Sequence, residues 1–200
     1  TNSYSLAMGY KGKATGSYAI AIGNNVTAQS YSSFVTGYYN IIGGNSATPT
    51  ATDPLFVIGN GTYIIPSNAI TVLHNGNTGI GTNSPNVKMD INGGFALRQT
   101  TPAELSTSVN NYNIGTGSYF RLSSSAAVNI TGISNGVDGK MIIITNYGLN
   151  NITLVNSSTS STDINRFLFS SGASITLNTN HTITLLYDSV SQRWRDISLR

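Results

Sequence analysis

The sequence predicts an all-β protein in three parts. These are a parallel β-roll (β-solenoid) shaft over residues 1–60, a connector over 61–94 and a jelly-roll-like β-sandwich knob over 95–200. Asn, Ser, Thr and Gly replace charged residues, which make up 8% of the chain, against roughly 25% in ordinary soluble domains. Hydrophobic residues, 39% of the chain, recur in short β-branched runs between turn-forming residues. This pattern favours a turn-dense β structure over disorder.

The shaft is predicted by a repeat of fourteen residues. The strings "SYSLAMG", "SYAIAIG" and "YSSFVTG" end at Gly9, Gly23 and Gly37, which are equally spaced. A fourth copy, "LFVIG", ends at Gly59 after an insertion. Repetition at a fixed period indicates structural units that stack on one another, with the glycine at the same place in each unit.

Each copy is apolar on both faces of its predicted strand. Side chains alternate along a strand, so the small intervening residues share one face and the bulky residues share the other. The bulky positions, three residues and one residue before each glycine, are Leu6, Met8, Ile20, Ile22, Phe34 and Thr36. A strand that is apolar on both faces must be covered on both. We expect the small row to line the bore of a narrow solenoid and the bulky row to pack on other chains, because one short coil buries little surface alone.

This layout resembles the head repeats of trimeric autotransporter adhesins. The matching residues are 3–9, 17–23 and, less completely, 32–37, within the first sixty or so residues of the chain. The resemblance implies a homotrimer in which each chain winds a parallel β-roll and three chains pack side by side.

The connector contains two predicted strands and a tight turn. The segment "AITVL" indicates a strand, Asn75–Gly76 a turn, and "VKMDI" an alternating strand that ends at residues 92–94. The string "NGNTGIGTNSPNVKMDING" is similar to a linker of bacterial and phage fibre proteins, which implies that three chains wrap here before the next domain. An ordinary hairpin would give the same local strands without a trimer.

The knob is predicted by short apolar runs with turn signals about every ten residues, the strongest at Asn135–Gly136 and Asp138–Gly139. This spacing is typical of a β-sandwich or jelly roll, with "MIIIT" as a central strand. A short helix is a possible feature near residues 102–105. The stretch 125–177, together with "LLYDSVSQRWR", is similar to C-terminal domains of uncharacterised fibre-type bacterial and phage proteins.

No catalytic, cofactor-binding or metal-ligating set is predicted, so the chain is not expected to be an enzyme. A glycosidase needs two facing carboxyls, and Asp188 with Asp196 is the one plausible pair, although both are expected to be solvated residues at the ends of a hairpin. His74 and His181 fall in different modules and are expected to be surface or strand histidines. The alternative is that a threefold axis brings three copies of His74 together to form a metal or anion site.

Other partner classes are also disfavoured. The "GIGTNS" string lacks the lysine of a phosphate loop, so nucleotide binding is not expected. The chain has ten cationic and seven acidic residues, and no basic cluster is longer than the triplet at residues 193–195, so nucleic-acid binding is not expected either. No apolar stretch is long enough to span a bilayer, so no membrane insertion is expected. Because the chain begins at Thr1 rather than Met, we expect it to be the C-terminal part of a longer protein.

Two groups of residues are candidate receptor contacts. Tyr147, Asn150 and Asn151 stand near a predicted turn, where exposed rings and amides would suit a carbohydrate without needing charge. Arg193, Trp194 and Arg195 combine residue types that dominate binding sites. Strand alternation, however, places Trp194 opposite both arginines, so a core tryptophan flanked by two exposed cations is the favoured alternative.

The resemblance also implies a function. In phage and injection-machine fibres the C-terminal knob is the distal part that contacts a receptor. We therefore expect a trimeric fibre tip that attaches to a cell-surface glycan or protein, on the extracellular face of a virion or injection machine. The alternatives are a bacterial cell-surface adhesin, a purely structural trimerisation cap and, with less support, a fibre-borne glycan depolymerase.

Overall fold

The structure, a computed structural model, describes residues 4–197, and the all-β prediction is confirmed. Seventeen strands and one 3₁₀ turn, Asp163–Asn165, make up its regular elements. The described residues form two compact units, one up to Phe95 and the other from Ala96 onward. Ser3, the first residue of the first predicted repeat, and the last three residues of the predicted knob lie outside the described residues.

The first unit consists of one large sheet and one short strand pair. The large sheet contains seven strands in the following order: β1 (Leu6–Met8), β3 (Ile20–Asn24), β5 (Phe34–Tyr38), β6 (Pro54–Asn60), β7 (Asn68–Leu73), β8 (Thr78–Ile80) and β9 (Met89–Ile91). The short pair is β2 (Lys13–Ala14) with β4 (Thr27–Ala28).

The 14-residue copies stack in parallel, each strand in register with the next copy. Leu6 pairs with Ile20, Ile20 with Phe34, and Phe34 with Phe56. The pair β2–β4 has the same 14-residue register. Between Phe34 and Phe56 the spacing is longer, and the extra residues form a loop over 39–53 whose segment 45–52 is exposed. The insertion therefore lies between strands and leaves the stacking register intact.

A column of glycines explains the fixed spacing. A Cβ on Gly9 would lie 2.2 Å from the carbonyl oxygen of Gly23, and the same distance separates a Cβ on Gly23 from Gly37 and one on Gly37 from Gly59. Gly9 and Gly37 also have φ angles of +98° and +95°, which side-chain-bearing residues rarely adopt. Each copy needs a glycine here because the neighbouring backbone occupies the space of a side chain.

Strands β7, β8 and β9, from the predicted connector, belong to the same sheet as the repeats. β7 is antiparallel to both β6 and β8, whereas β8 and β9 are parallel. The predicted turn at Asn75–Gly76 joins β7 to β8, and Gly76 has a φ of +80°. The strand predicted from "VKMDI" is shorter than expected and begins at Met89.

The second unit has two sheets on one apolar core. The five-stranded sheet contains β10 (Gln99–Thr100), β11 (Tyr119–Leu122), β13 (Met141–Asn146), β16 (Thr182–Asp188) and β17 (Arg193–Asp196). The three-stranded sheet contains β12 (Val128–Ile130), β14 (Ile152–Leu154) and β15 (Ile175–Leu177). Both sheets bury every second residue in the shared core, as Ile142, Ile144, Ile152 and Leu154 illustrate.

The strand pairing of this unit differs from that of a jelly roll, in which neighbouring strands are antiparallel. The pairs β11–β13 and β12–β14 are parallel, both with an offset of 24 residues. From β11 to β14 the chain thus alternates between the two sheets. Among the strand pairs of this unit, β13–β16, β14–β15 and β16–β17 are antiparallel. The reason is that the turn around Asn135 and Gly139, both at positive φ, leads from β12 into the other sheet rather than into a hairpin.

The interpretation of residues 102–105 as a short helix is wrong. That segment has no helical turn, and Leu105 instead forms a parallel bridge with Ser124. The side chain of Leu105 is buried in the shared core, which requires an extended segment at the sheet edge.

Candidate assembly and binding surfaces

One face of the seven-stranded sheet carries large apolar side chains, many of which are exposed in the described chain. Register pairing aligns them in two rows across the sheet, which together we call the apolar face: Leu6, Met8, Ile20, Ile22, Phe34, Phe56, Ile58, Ile70, Val72, Ile80, Met89 and Ile91. Seven of these side chains are from 37% (Ile20) to 63% (Met89) exposed. Thr36 and Thr78 complete the rows, so the face contains no charged residue.

The opposite face of this sheet is buried and lined by small residues. Ala21, Val35, Val57 and Thr71 are at most 2% exposed, and they face a core that is otherwise formed by alanines and valines. The predicted division into a small inner row and a bulky outer row therefore matches the described strands. The face of a sheet that is open to water ordinarily carries polar residues. This sheet instead carries its largest apolar side chains on the face that is open.

The predicted contacts near the β13–β14 turn have structural partners of their own. The guanidinium of Arg121 lies 4.6 Å from the centre of the Tyr147 ring, and the Asn150 amide donates to the carbonyl oxygen of Ser124 at 2.8 Å. Asn151 is exposed, and Leu149, at 89% exposure, is the most open large side chain of this turn. Tyr147 and Asn151 remain accessible, whereas the side chain of Asn150 holds the turn in place.

The second group, at residues 193–195, is divided by strand alternation. Trp194 is fully buried, stands edge-on to the ring of Tyr187, and donates its indole N–H to the carbonyl oxygen of Ile133 at 2.8 Å. Arg193 donates to the carbonyl oxygen of Asp163 at 2.6 Å. The Arg195 guanidinium lies 3.7 Å from the Asp188 carboxylate. Trp194 is therefore a core residue, as the alternative interpretation held, and both arginines are engaged at the surface.

Asp188 and Asp196 do not face each other. Asp188 pairs with Arg193 and Asp196 pairs with Leu185, so the two acids lie about 10 Å apart along the ladder and on opposite faces of it. Hydrogen bonds from the Ser191 side chain and from nearby backbone amides lower the pKa of Asp188. Asp196 accepts from the backbone and hydroxyl of Ser170. Both carboxylates thus stabilise turns.

The histidines are placed individually rather than in a cluster. His74 Nε2 lies 3.0 Å from the carbonyl oxygen of Tyr31 in the first unit, and His181 lies in the β15–β16 turn of the second. Within residues 4–197 no three His, Cys, Asp or Glu side chains are grouped as metal ligands. No helix in the same range has the length and apolar character needed to cross a bilayer.

Sequence reasoning missed a groove of about 650 Å³ beside the turn that joins β15 to β16. Its polar lining comes from Thr176, Asn180, His181, Thr182 and Thr184. None of these residues belongs to a recognisable motif, since threonines and asparagines are abundant throughout the chain. The available signal was Asn146, a polar residue at the end of the apolar run "MIIIT" that turns out to be fully buried.

The second unit is thus a two-sheet β structure with an open polar groove, and the first is a stack of short parallel strands with an apolar face. Comparison with models of protein families finds none that matches this chain, and comparison with curated proteins finds no match either.

Proposed function

We propose that this chain is one subunit of a homotrimeric fibre tip, the receptor-binding part of a phage or phage-like tail fibre, in which a β-roll shaft assembles three chains and the knob attaches to a cell surface. The apolar face is the observation that carries the proposal. Its two rows run across all seven strands of the sheet, so a second copy of the same sheet offers a matching pair of rows.

The size of the apolar face supports self-association of the chain. Completing the burial of a half-exposed large side chain contributes about 1 kcal/mol, so its seven most exposed side chains supply about 7 kcal/mol per chain. Association costs about 4–15 kcal/mol. Two copies that cover each other's apolar faces gain twice the per-chain figure, about 14 kcal/mol, which reaches the upper end of this cost. The apolar face therefore supports self-association, and the choice of a trimer rests on the resemblance of the repeats.

Trimerisation also suits attachment. Three identical knobs on one fibre would engage a repetitive surface together, which raises avidity above single-site affinity by a factor on the order of 10²–10⁴ when the geometry permits. The low charge of the chain, 8% of residues, supports recognition of neutral surface groups rather than binding driven by electrostatics. Resemblance of the repeats and of the connector to fibre proteins supports the same assignment.

The first experiment is the mass of the purified protein in solution by light scattering. We expect about three times 21.1 kDa, resistant to dilution. Ile22→Asp introduces a charge into the apolar face and is expected to yield monomers. Ile64→Asp is the matched control, because Ile64 is 85% exposed and lies outside the apolar face. A stable wild-type monomer would refute the trimer.

Attachment is tested separately with the intact trimer. A fluorescently labelled trimer should bind host cells, and excess unlabelled trimer should compete with it. Should no cell or glycan bind while the trimer persists, the knob would be a trimerisation cap. Locating the full-length protein on virions or on bacterial cells distinguishes a tail fibre from a cell-surface adhesin.

A further inference from the structure

We infer that the groove between β15 and β16 is a binding site for a neutral saccharide. This inference rests on the proposed function, since it assigns the receptor contact of the knob to one location. It departs from the two groups of contacts predicted by sequence, because the Asn150 side chain is engaged in its own turn and Trp194 is buried.

The free side chains of the groove have the hydrogen-bonding capacity that sugars require. Within the described part of the chain, the side chains of Asn180, His181 and Thr184 have no hydrogen-bond partner, although all three line the groove. Amide, imidazole and hydroxyl groups both donate and accept hydrogen bonds, as sugar hydroxyls do. Thr176 and Thr182 each share one hydrogen bond with a neighbouring threonine and keep further capacity.

The groove also has an apolar floor, formed by aliphatic side chains. Ile175 and Ile183 are each 7% exposed at its base, and Ile197, half exposed, lies at its rim. These aliphatic groups suit the C–H faces of a sugar ring. Among the described residues, no Asp, Glu, Lys or Arg lines the groove, which disfavours phosphorylated, sulfated or otherwise ionic ligands. Its volume of about 650 Å³ falls within the range of small-molecule sites, and is large enough for a short oligosaccharide.

The shape of the groove is fixed before any ligand arrives. Asn146, fully buried at the end of β13, donates its side-chain amide to the carbonyl oxygens of Leu177 and Asn150, each at 2.8 Å. Its backbone pairs with the other end of the same turn, at Asn180 and His181. Asn180 itself has a φ of +65°, which sets the direction of the turn. A rigid turn holds its side chains in place and lowers the ordering cost of binding.

The test uses the whole trimeric protein and an array of neutral, sialylated and sulfated oligosaccharides, followed by calorimetry with the best soluble neutral oligosaccharide. The variants are Asn180→Ala combined with Thr184→Val, with Tyr147→Ala and Asn151→Ala as matched controls from the neighbouring turn. Each variant is first shown by light scattering to have the wild-type mass.

We expect a neutral oligosaccharide to bind in a salt-insensitive manner. The double variant should bind it about tenfold more weakly, the effect of losing two neutral hydrogen bonds, while the controls bind as wild type does. Wild-type binding by the double variant, loss in the controls instead, or binding confined to acidic glycans would overturn the inference. So would cell attachment that protease treatment of the cells abolishes, which would point to a protein receptor.

These outcomes separate the two proposals. A trimer that attaches to cells through residues outside the groove leaves the proposed function standing and refutes only the saccharide site. A wild-type protein that forms no trimer, or attaches to no cell, refutes the proposed function whatever the groove binds.

Discussion

Replacing Gly23 with alanine tests the stacking of the repeats most directly. The new Cβ would lie 2.2 Å from the carbonyl oxygen of Gly37 and 3.1 Å from its nitrogen, whereas carbon and oxygen in ordinary contact are more than 3 Å apart. The obstruction is backbone, so no side-chain rotation can relieve it. The strands β3 and β5 must separate, which breaks their parallel hydrogen bonds near this position.

The expected loss of stability follows from comparable overpacked sites. Forcing extra volume into a filled position costs about 1–3 kcal/mol, and local loss of strand hydrogen bonds adds about 1 kcal/mol. We therefore expect Gly23→Ala to lower the free energy of unfolding of the first unit by about 3 kcal/mol. Urea denaturation of the trimer, followed by circular dichroism at fixed protein concentration, measures the change.

Gly43→Ala is the matched control, because no atom lies within 4 Å of the position that its Cβ would take and its φ is not in the left-handed region. That variant should unfold as wild type does or slightly later, since alanine restricts the unfolded chain. If Gly23→Ala and Gly43→Ala unfold within about 0.5 kcal/mol of each other, the glycine column does not hold the stack in register.

Two further predictions concern the second unit. Trp194→Phe removes the indole N–H that donates to the carbonyl oxygen of Ile133, so it should destabilise the unit by about 1–3 kcal/mol in thermal unfolding. Saccharide binding, measured by calorimetry, should stay unchanged. Weakened binding at unchanged stability would contradict a core role for Trp194. The pKa of Asp188 is held below its ordinary value of 3.8, so its stabilising effect is full above that pH and is lost as the pH falls through the lower folded-state value. Asp188→Asn should therefore reduce the acid-side decrease in urea midpoint between pH 5 and pH 2 relative to wild type; an unchanged decrease would show that the Ser191 contact does not stabilise the fold.

The first unit was largely predictable because its information is local. The spacing of Gly9, Gly23 and Gly37 sets the period, and alternation within each copy decides which residues face outward, so register follows without any long-range knowledge. The turn at Asn75–Gly76 was predictable for the same reason.

The second unit was less predictable because its parallel strand pairs β11–β13 and β12–β14 share an offset of 24 residues but no repeated sequence. Nothing at Tyr119 resembles Ile143, although the two are paired, and a turn signal does not reveal whether the chain stays in its sheet or crosses to the other one. The groove was missed on similar grounds. Its side chains are ordinary residues of β15, β16 and the turn between them, and hydrogen bonds from Asn146, which is distant in sequence, help to fix the shape of that turn.

The loop between the third and fourth copies has a practical consequence. Its exposed segment, residues 45–52, begins and ends beside a fixed point, since the Asp53 carboxylate accepts from the backbone of Asn45 and the Asp53 carbonyl accepts from that of His74. Phe34 and Phe56 remain paired across it. The carbonyl oxygens of Asn45, Ser46 and Ala51 also accept from the backbone of the stack, so the loop tip between them, residues 47–50, is where we expect foreign sequence to be tolerated. In a threefold assembly an epitope grafted there would be displayed in three identical copies per particle.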